Sequence, residues 1–575
     1  MGPPFVIYSV RHRDEPTRTI MATTVDATAR SSLGIDRAHR RVIAASSLGT
    51  MFEWYDFYLY ASLAATIGKH FFAGINETTA FIFALLAFAA GFAVRPFGAV
   101  IFGRMGDRAG RKYTFLITIV IMGVATALVG VLPGQATIGA AAPVILITLR
   151  LLQGLAVGGE YGGAATYIAE HAPPGRRAYY TSWIQITATA GMILSLIVIL
   201  GCRWLFSEQQ FEAWGWRVPF LLSIILLVIS VYIRLQLQES PVFHEMRASG
   251  KLSRHPLRES LGRWSNLKLV LLALFGCMAG QSVVGYVSLV YTNLFLTQTL
   301  KVDAAISNLL LVAALTAAVP FYLVVGKIAD RFGRKPQVVI GCLIAALTFF
   351  PVFRGLTHYA NPQIEAAQAH SPVVVVANPH ECSFQFDPVG GAQFTSSCDV
   401  AKSALAGQRI PYSNEPAPAG TAAIVKIGSV TVAAFDGTTL SKEELKTRSA
   451  QFKQELSGVL KEAGYPASAD PQRIDYAMVF LLLWVVGVLG VMTYGPVAAW
   501  LVELFPPRIR YTSMSLPYHL GNGWFGGFLP SIAFALIAYT GNIYSGLWYP
   551  LIVCLVTAVV GTFFLRETNG AEATD

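Results

Sequence analysis

Charged residues are scarce in this chain of 575 residues: Asp, Glu, Lys and Arg together make up 13% of it. A soluble domain carries about 25% charged residues, because its surface must be hydrated. Hydrophobic residues reach 54%, and the mean hydropathy is +0.52. This composition excludes a disordered chain and an ordinary soluble enzyme. It predicts a protein that crosses a membrane several times.

Several functional signals are also missing from the sequence. Residues 1–40 hold a single short apolar stretch, Phe5–Val10, which is too short for a secretory signal. No metal-ligand cluster, phosphate-binding glycine-rich loop or nucleophile elbow occurs, so we expect neither an enzyme nor a metal or organic cofactor. The net charge is +10. In a membrane protein such charge is expected in cytoplasmic loops, so we predict no nucleic-acid partner.

The chain contains twelve apolar runs that approach the length of about 20 residues needed to cross a bilayer. The predicted fold class is therefore an all-α membrane protein with twelve transmembrane helices in two six-helix bundles. The runs cover residues 42–67, 79–103, 113–133, 139–169, 179–202, 217–235, 268–297, 304–327, 337–354, 477–502, 512–538 and 543–565.

Orientation follows from the positive residues of the short loops. With the N-terminus in the cytoplasm, the inner loops hold 19 Lys and Arg residues and the outer loops hold 4. Cytoplasmic loops collect positive charge, so both termini are predicted to be cytoplasmic. Residues 236–267 then form a basic cytoplasmic linker between the two bundles.

The sequence repeats itself at unequal distances. Gly103–Lys112 and Gly326–Lys335 both fit G-x-x-x-D-R-x-G-R-K, and Glu170–Arg177 and Glu503–Arg510 share E-x-x-P-P-x-x-R. The second pair is separated by about 110 residues more than the first. A segment of that length is therefore inserted at residues 356–475, which the topology places in the periplasm. We call residues 356–475 the insert.

The insert is predicted to be a small α+β module. Val373–Ala377 and Ala422–Ala434 are rich in Val and Ile, as strands are. A capping box at Ser441 opens a helix that ends near Gly464. Cys382 and Cys398 are the only two cysteines of the insert, and the periplasm is oxidising, so a disulfide is predicted. Two free thiols remain the alternative, and a cytoplasmic insert would favour them.

Twelve spans in two similar halves, with the ten-residue signature in each half, resemble the major facilitator superfamily. Within it the chain is similar to the metabolite:proton symporter family. That resemblance lies in residues 42–355 and 476–566 and is carried by Glu53–Phe57, Arg95–Gly98, Arg150-x-x-Gln153-Gly154, Gly158–Glu160, Trp214–Phe220 and Glu239–Pro241. It implies transport of proline/betaine, shikimate, 2-oxoglutarate, citrate or a related acid together with protons.

The repeated signatures are interpreted as a latch. Their glycines allow helices to approach closely, and their carboxylates can face a helix N-terminus. The resemblance implies that the signature holds the cytoplasmic side closed; a pure loop and topology signal is the alternative. The predicted gating residues are Gly103, Asp107, Arg108, Arg111, Glu170, Gly326, Asp330, Arg331, Arg334 and Glu503.

Ionisable residues within the spans are the sharper functional signal, because charge inside a bilayer is costly. Glu53 and Asp56 lie about 60° apart on one helix face. With Glu160 they are the proton-coupling candidates, since a carboxylate near an arginine can exchange a proton. Arg95 and Arg150 are substrate-anion or gating candidates, because a guanidinium grips a carboxylate with two parallel hydrogen bonds. Fixed ion pairs within the bundle are the alternative for all five.

Uncharged polar residues complete the predicted substrate site. Gln153 lies on the face of Arg150, and the C-terminal half offers only neutral groups and one histidine in its last three spans. The candidates are Gln153, Gln281, Tyr286, Tyr494 and His519. Interhelical hydrogen bonding without any substrate is the alternative reading of these residues.

The sequence therefore predicts a proton-coupled symporter, monomeric, in the bacterial inner membrane, that takes up a small organic acid such as a dicarboxylate or a shikimate-like acid. Open alternatives are an osmolyte symporter for proline or betaine, an exporter, and a sensor of periplasmic ligands. Its partners are the substrate, protons and the lipid bilayer. The predicted parts are the cytoplasmic tail 1–41, the bundle 42–235, the linker 236–267, spans 268–355, the insert 356–475, spans 476–566 and the tail 567–575.

Overall fold

The computed structural model of the chain describes residues 50–52, 54–73, 77–109, 111–159, 161–173, 175–235, 259, 261–383, 395–506 and 510–569. This part of the chain is mostly helical. Long apolar helices run through it in two halves, and a small α+β unit is set into the second half. The predictions for the tails 1–41 and 567–575 and for the linker 236–267 fall mostly outside the described residues.

The first half is built mainly of apolar helices. Residues 54–62 are helical and precede α1. The further helices are α1 (Ala64–Phe71), α2 (Glu77–Ala93), α3 (Arg95–Ala109), α4 (Arg111–Val131), α5 (Gln135–Ile138), α6 (Ala141–Val157), α7 (Tyr161–His171), α8 (Arg177–Leu205), α9 (Glu208–Ala213) and α10 (Val218–Leu235). We call this half the N-terminal bundle.

The described part of the second half contains long helices and four π-helical segments, which often occur at functional sites. The π segments are Leu274–Met278, Val287–Tyr291, Phe295–Thr299 and Gly521–Gly526. The helices are α11 (Trp264–Ala273), α12 (Ala279–Tyr286), α13 (Thr292–Leu294), α14 (Ala304–Ala318), α15 (Phe321–Phe332), α16 (Arg334–Ala360), then, after the insert, α20 (Tyr476–Tyr494), α21 (Val497–Leu504), α22 (Arg510–Leu520), α23 (Leu529–Thr540) and α24 (Trp548–Phe564). We call this half the C-terminal bundle.

Nine helical stretches among the described residues are long and apolar enough to cross a membrane. They coincide with the second and the fifth to twelfth predicted runs. Leu116–Val131 and Ala141–Val157 are shorter apolar helices in the third and fourth runs. The full count of twelve spans remains a prediction.

The fourth predicted run, 139–169, is divided between α6 and α7. The division falls at Gly158 and Gly159, where α3 crosses closely. A side chain at Gly158 would meet the backbone of Arg95, and one at Gly159 would meet Phe102. Glycine is required here because it alone permits this backbone approach.

The insert folds as predicted, as a mixed α+β unit. Its elements are α17 (Pro362–His370), β1 (Val373–Ala377), α18 (Ser397–Gly407), β2 (Ser413–Pro416), β3 (Ile424–Ile427), β4 (Val430–Ala433) and α19 (Lys442–Glu462). The sheet order is β2-β1-β3-β4, with β1 and β2 parallel and the other pairs antiparallel. Helix α16 continues to Ala360, so the folded unit begins at Asn361.

The core of the insert lies between the sheet and its helices. Val375 and Val425 from the sheet and Leu405 and Leu456 from α18 and α19 are completely or almost completely buried there. Ser441 and Glu444 form the predicted capping box at the start of α19. The predicted Cys382–Cys398 disulfide is present, with a Cα–Cα distance of 5.2 Å. It ties the segment after β1 to the first turn of α18.

The two ends of the bundles differ, and we name them by what they carry. The insert end holds Ala360 and Tyr476, where the chain enters and leaves the insert. The latch end holds Arg334, at the other terminus of α16. It also holds Leu504, at the end of α21, which follows α20. At the latch end α15 packs against α8, and α3 packs against α22. These two contacts join the bundles.

Candidate functional site

A chain of buried polar groups links the N-terminal bundle's α4 and α6 to the helical residues 54–62. Arg150 donates to the side-chain Oε1 of Gln153, one helical turn away on α6. Gln153 Nε2 donates to Thr126 Oγ1 at 2.5 Å, and Thr126 Oγ1 donates to Asp56 Oδ2 at 2.9 Å. All four side chains are buried. The i, i+3 spacing on α6 places Gln153 between the arginine and the rest of the chain.

This polar chain leaves charged atoms without hydrogen-bond partners among the described residues. They are Oδ1 of Asp56 and Nε and one Nη of Arg150. The guanidinium lies over the Tyr60 ring, with Cζ 3.9 Å from the ring centroid. Buried polar groups are nearly always paired, and unpaired ones mark functional positions. Asp56 and Arg150 can therefore each take a further polar partner.

Arg95 occupies an aromatic setting close to this chain. Its Cζ lies 3.7 Å from the Phe92 ring centroid and 4.3 Å from that of Phe57. It lines a cavity of ≈ 20 Å³ with residues of both bundles, among them Tyr161, Tyr518 and His519. The predicted candidates Arg95 and His519 are thus brought together, although they come from opposite halves of the sequence.

A second cavity of ≈ 20 Å³ lies between the bundles and is walled by aromatic and neutral polar side chains. It contains three predicted candidates, Gln281, Tyr286 and Tyr494. The other polar and aromatic residues that line it are Trp54, Tyr58, Thr189, Ser288, Tyr322 and Asn522. We call it the aromatic cavity, and the one with Arg95 the arginine cavity.

The two cavities share Trp54. Each offers about the space that one water molecule needs. A metabolite can enter only if the bundles separate, because cross-bundle contacts close the region. Gln185 Nε2 donates to the Tyr494 carbonyl at 3.1 Å, and the Tyr161 and Tyr518 rings stack with centroids 3.5 Å apart.

At the latch end a carboxylate of the C-terminal bundle faces a helix N-terminus of the N-terminal bundle. Asp330 of α15 accepts hydrogen bonds from the backbone N–H groups of Ala178 and Tyr179, each at 2.9 Å. These donors belong to the first turn of α8, where N–H groups have no partner within the helix and the dipole attracts negative charge. Asp330 therefore bridges the bundles as its position in the signature predicts.

Further charges surround this bridge. The buried Arg334 places Nη2 3.0 Å from Asp330 Oδ1 and 3.1 Å from Glu503 Oε1. Arg177 of the N-terminal bundle lies 3.8 Å from the same Glu503 oxygen. Arg331, another predicted gating residue, is exposed beside Phe332 and does not join the cluster. We call Asp330, Arg334 and Glu503 the latch.

Some predicted residues cannot be placed. Glu53 and Glu160 lie outside the described residues. The backbones of Gly103, Asp107, Arg108, Arg111 and Glu170 belong to α3, α4 and α7, but their side chains also lie outside the described part. The roles predicted for these seven residues therefore stay predictions.

Gly326 lets α15 approach α8 beside the latch. A Cβ atom there would lie 2.5 Å from Ser182 Oγ and 2.9 Å from Tyr179 Cα. A Gly326→Val substitution is therefore expected to hold the latch end open. The measurement is thiol labelling of an Ala499→Cys reporter, because Ala499 is buried between Ala178 and Ala329. We expect labelling about tenfold faster, equivalent to about 1.4 kcal/mol of lost closing free energy.

Gly201→Val provides the matched control for this measurement. Gly201 lies within α8, the helix that Gly326 approaches, but a Cβ atom there would have nothing within 4 Å. Labelling of Ala499→Cys should be the same in Gly201→Val as in the parent protein. Equal labelling in Gly326→Val and Gly201→Val would contradict the role of Gly326 in closing the latch end.

Sequence reasoning did not identify Thr126, Trp54, Tyr58 or Tyr322 as site residues. Thr126 is uncharged and lies in an ordinary apolar run, so only the three-dimensional contact with Asp56 distinguishes it. Trp54 and Tyr58 are one helical turn apart, and their rings stack with centroids 5.4 Å apart. Their spacing could have indicated a shared face, but not that this face lines a cavity. No cluster of metal-ligating side chains occurs in the described residues.

Comparison with known proteins gives consistent results. The family model described as "Sugar (and other) transporter" matches residues 42–377. A shikimate transporter of Escherichia coli (strain K12) is 36% identical over 345 residues, 59% of this chain and 76% of the relative. A proline/betaine transporter of Salmonella typhimurium (strain LT2) is 35% identical over 326 residues, 55% of this chain and 64% of the relative.

A solved structure shows the same fold. The crystal structure of a D-xylose-proton symporter matches with a TM-score of 0.57 and 18% identity, covering 92% of this chain and 99% of that one. At this identity the likeness concerns the fold alone. The relatives are membrane transporters, and the apolar helices agree with that location. The chain belongs to the sugar (and other) transporter family of the major facilitator superfamily.

Proposed function

We propose that this chain is a proton-coupled transporter that takes up a small metabolite bearing a carboxylate. The observation that supports it most is the buried chain from Arg150 through Gln153 and Thr126 to Asp56, in which both charged ends keep unpartnered atoms. Because a polar relay joins the buried acid to the buried arginine, a proton bound by the acid can affect what the arginine binds, and a group bound by the arginine can affect proton binding by the acid. A structural ion pair would instead satisfy both charges directly.

The two arginines differ in what they face. Arg95 lines a cavity between the bundles, so it is the better placed to receive the carboxylate of a substrate. Arg150 faces neither cavity and is joined to Asp56, so it is better placed to couple proton binding to substrate binding. Net charge buried in a low dielectric is unfavourable. Proton binding to Asp56 therefore offsets the charge that a substrate carboxylate brings in.

Transport requires each end of the bundles to open in turn. The latch closes one end, and at the insert end Phe81 of α2 contacts Phe534 of α23 with ring centroids 5.0 Å apart. The structure thus resembles an intermediate closed at both ends. Alternating opening around a site between two bundles is the mechanism of such folds. In the proposal twelve spans cross the bacterial inner membrane, the latch end is cytoplasmic and the insert is periplasmic.

Uptake by proteoliposomes tests the proposal. Purified protein is reconstituted with an alkaline interior, and radiolabelled shikimate, proline and glycine betaine are added outside. We expect one of them to accumulate while the pH gradient lasts and to leak out when a protonophore is added. Accumulation that ignores the protonophore would contradict proton coupling. Substrate binding without any flux would favour the sensor alternative. Faster efflux of preloaded substrate with an alkaline interior, driven by proton entry from outside, would favour an exporter.

A zwitterionic osmolyte is the second candidate substrate, and the aromatic cavity favours it. Trp54, Tyr58, Tyr286, Tyr322 and Tyr494 line this cavity beside the arginine cavity. Aromatic rings attract quaternary ammonium groups through cation–π interactions. A betaine could place its ammonium group among these rings and its carboxylate near Arg95. A hydroxylated acid would instead use the hydroxyl and amide groups of the same walls.

Tyr286→Phe separates the two substrate classes. Tyr286 Oη has no hydrogen-bond partner among the described residues, so it is available to a ligand. If the substrate is a hydroxylated acid, losing this hydroxyl should weaken binding by about tenfold, the effect of about 1.4 kcal/mol. If the substrate carries a quaternary ammonium group, Tyr286→Phe should bind normally and Tyr286→Leu should not. Competition binding with shikimate and glycine betaine measures both effects.

A further inference from the structure

The insert makes its polar contacts with the ends of helices in the C-terminal bundle. At the end of α23, Tyr412 Oη donates to the Ala538 carbonyl at 2.8 Å, and Asn414 Nδ2 donates to the Thr540 carbonyl at 2.8 Å. The Tyr412 N–H donates to the Gly541 carbonyl at 3.1 Å. The last carbonyls of a helix lack partners within the helix. The insert therefore caps these last carbonyls of α23, beside Gly541, whose own N–H donates to the Ile537 carbonyl.

The insert caps the helix that ends at Thr299 in a similar way. Arg409 donates to the Thr297 carbonyl at 3.3 Å, and Asn361 Nδ2 donates to the Leu300 carbonyl at 2.8 Å. The neighbouring Lys301 donates from Nζ to the Pro466 carbonyl at 3.0 Å and accepts from the Ala469 N–H at 3.0 Å. Burial, with a smaller contribution from Arg409, lowers the pKa of Lys301 to about 8.

Both capped helices contain π-helical segments, and they contact each other at the insert end, where α23 meets the N-terminal bundle. Phe295–Thr299 is the last π segment of the first, and Gly521–Gly526 precedes α23 in the second. Phe534 of α23 contacts Phe81 of the N-terminal bundle and lies 5.7 Å from Tyr291. The helices that the insert holds are therefore those that must move when this end opens.

Toward the N-terminal bundle the insert presents an apolar surface. Helix α18 of the insert packs against α2. A crevice of ≈ 90 Å³ lies beside this contact, between the insert and the C-terminal bundle, and Phe81 of α2 lines it together with Ala406 and Ile410 of the insert. Apolar contacts of this kind have no required direction and can separate and reform, whereas the caps are directional and specific to their helix ends.

We infer that the insert is a lid that is fixed to the C-terminal bundle, moves with it as one body, and closes the insert end by docking α18 against α2. Opening then breaks the apolar contact with the N-terminal bundle and preserves the hydrogen bonds to α23 and to Thr297–Lys301. The lid adds a second closure outside the Phe81–Phe534 contact. This inference rests on the alternating opening proposed above.

Distances between spin labels on the full-length protein test the lid. Exposed positions are available on the insert (Gln454), the N-terminal bundle (Gln209) and the C-terminal bundle (Arg354). Each is replaced by cysteine in pairs; the native cysteines of the described structure are buried or disulfide-bonded. The parent is compared with a Gly326→Trp variant, whose wedge at the latch end keeps that end open and therefore keeps the insert end closed.

We expect the 209–354 and 209–454 distances to show a population longer by several ångströms in the parent and to lose it in the Gly326→Trp variant. The 354–454 distance should be the same in both proteins. A 209–454 distance that stays constant while 209–354 changes would overturn the lid, as would a change in 354–454. A constant 209–354 distance would instead contradict alternating opening itself.

A second comparison tests the caps that fix the lid. The double substitution Tyr412→Phe and Asn414→Ala removes the two side-chain bonds to α23, and we expect it to broaden the 354–454 distribution. Lys426→Ala is the matched control, because Lys426 pairs with Glu415 at 3.0 Å within the insert. A 354–454 distribution that is as narrow in the double variant as in Lys426→Ala would show that these bonds do not hold the insert.

Discussion

Replacing Asp56 with asparagine is expected to abolish accumulation driven by a pH gradient. Asparagine keeps the size of the side chain and can still accept from Thr126, but it cannot bind and release a proton. One pH unit corresponds to about 1.4 kcal/mol, so it supports an accumulation ratio of about ten if one proton accompanies each substrate. In Asp56→Asn proteoliposomes that ratio should fall to about one, while exchange of labelled for unlabelled substrate continues.

The control for this variant is Asp303→Asn. Asp303 caps α14 in the loop before that helix, and asparagine is an equally good cap, so accumulation should be normal. Normal accumulation in Asp56→Asn would remove Asp56 from the coupling role. Glu53→Gln would then be the decisive variant, since Glu53 is the other coupling candidate predicted on the same helix face.

Arg150→Lys is expected to reduce transport strongly although the positive charge remains. A lysine ammonium cannot donate to Gln153 and present further planar donors to a second partner at the same time. Hydrogen bonds to charged groups contribute about 1.5–3 kcal/mol, so we expect a loss of about 10- to 100-fold in initial uptake rate. Arg150→Met should lose at least as much, because it leaves Asp56 without a nearby compensating charge.

Arg203→Lys is the matched control for Arg150→Lys. Arg203 also lies over an aromatic ring, 4.4 Å from the Phe211 centroid, and pairs with Glu208 at 2.9 Å. Glu208 is mostly exposed, and exposed pairs contribute little, so uptake should be unchanged. If Arg150→Lys transports as well as Arg203→Lys, Arg150 acts only as a buried charge and the argument from its planar donors is wrong.

The insert shows which structural features local sequence signals can predict. Its capping box, its main helix, the strands β1, β3 and β4 and its disulfide were all predictable from short motifs and from Val- and Ile-rich runs. Strand β2 was not, because Ser413–Pro416 is exposed and polar and has no strand pattern of its own. It becomes a strand only because β1 offers a free edge beside it.

The candidate site was likewise predictable from the sequence only in part. Charge within apolar runs was enough to single out Asp56, Arg95 and Arg150, because a bilayer makes such residues rare. The sequence could not tell which of them face a common cavity. Thr126 is the clearest omission: it joins Gln153 to Asp56, yet nothing in its neighbourhood along the chain distinguishes it from other buried threonines.

By itself the sequence determined the membrane class of this protein, its two related halves, the position and fold type of the insert and the signature residues of the latch. These follow from composition, from the lengths of the apolar runs and from repeated motifs, all of which are visible along the chain without knowledge of which residues contact one another. The tertiary structure decided which groups meet: Arg95 with His519, Asp330 with the N-terminus of α8, and Tyr412 with the end of α23. Each pair is more than 100 residues apart in sequence, and only the packing of helices against one another sets such distances.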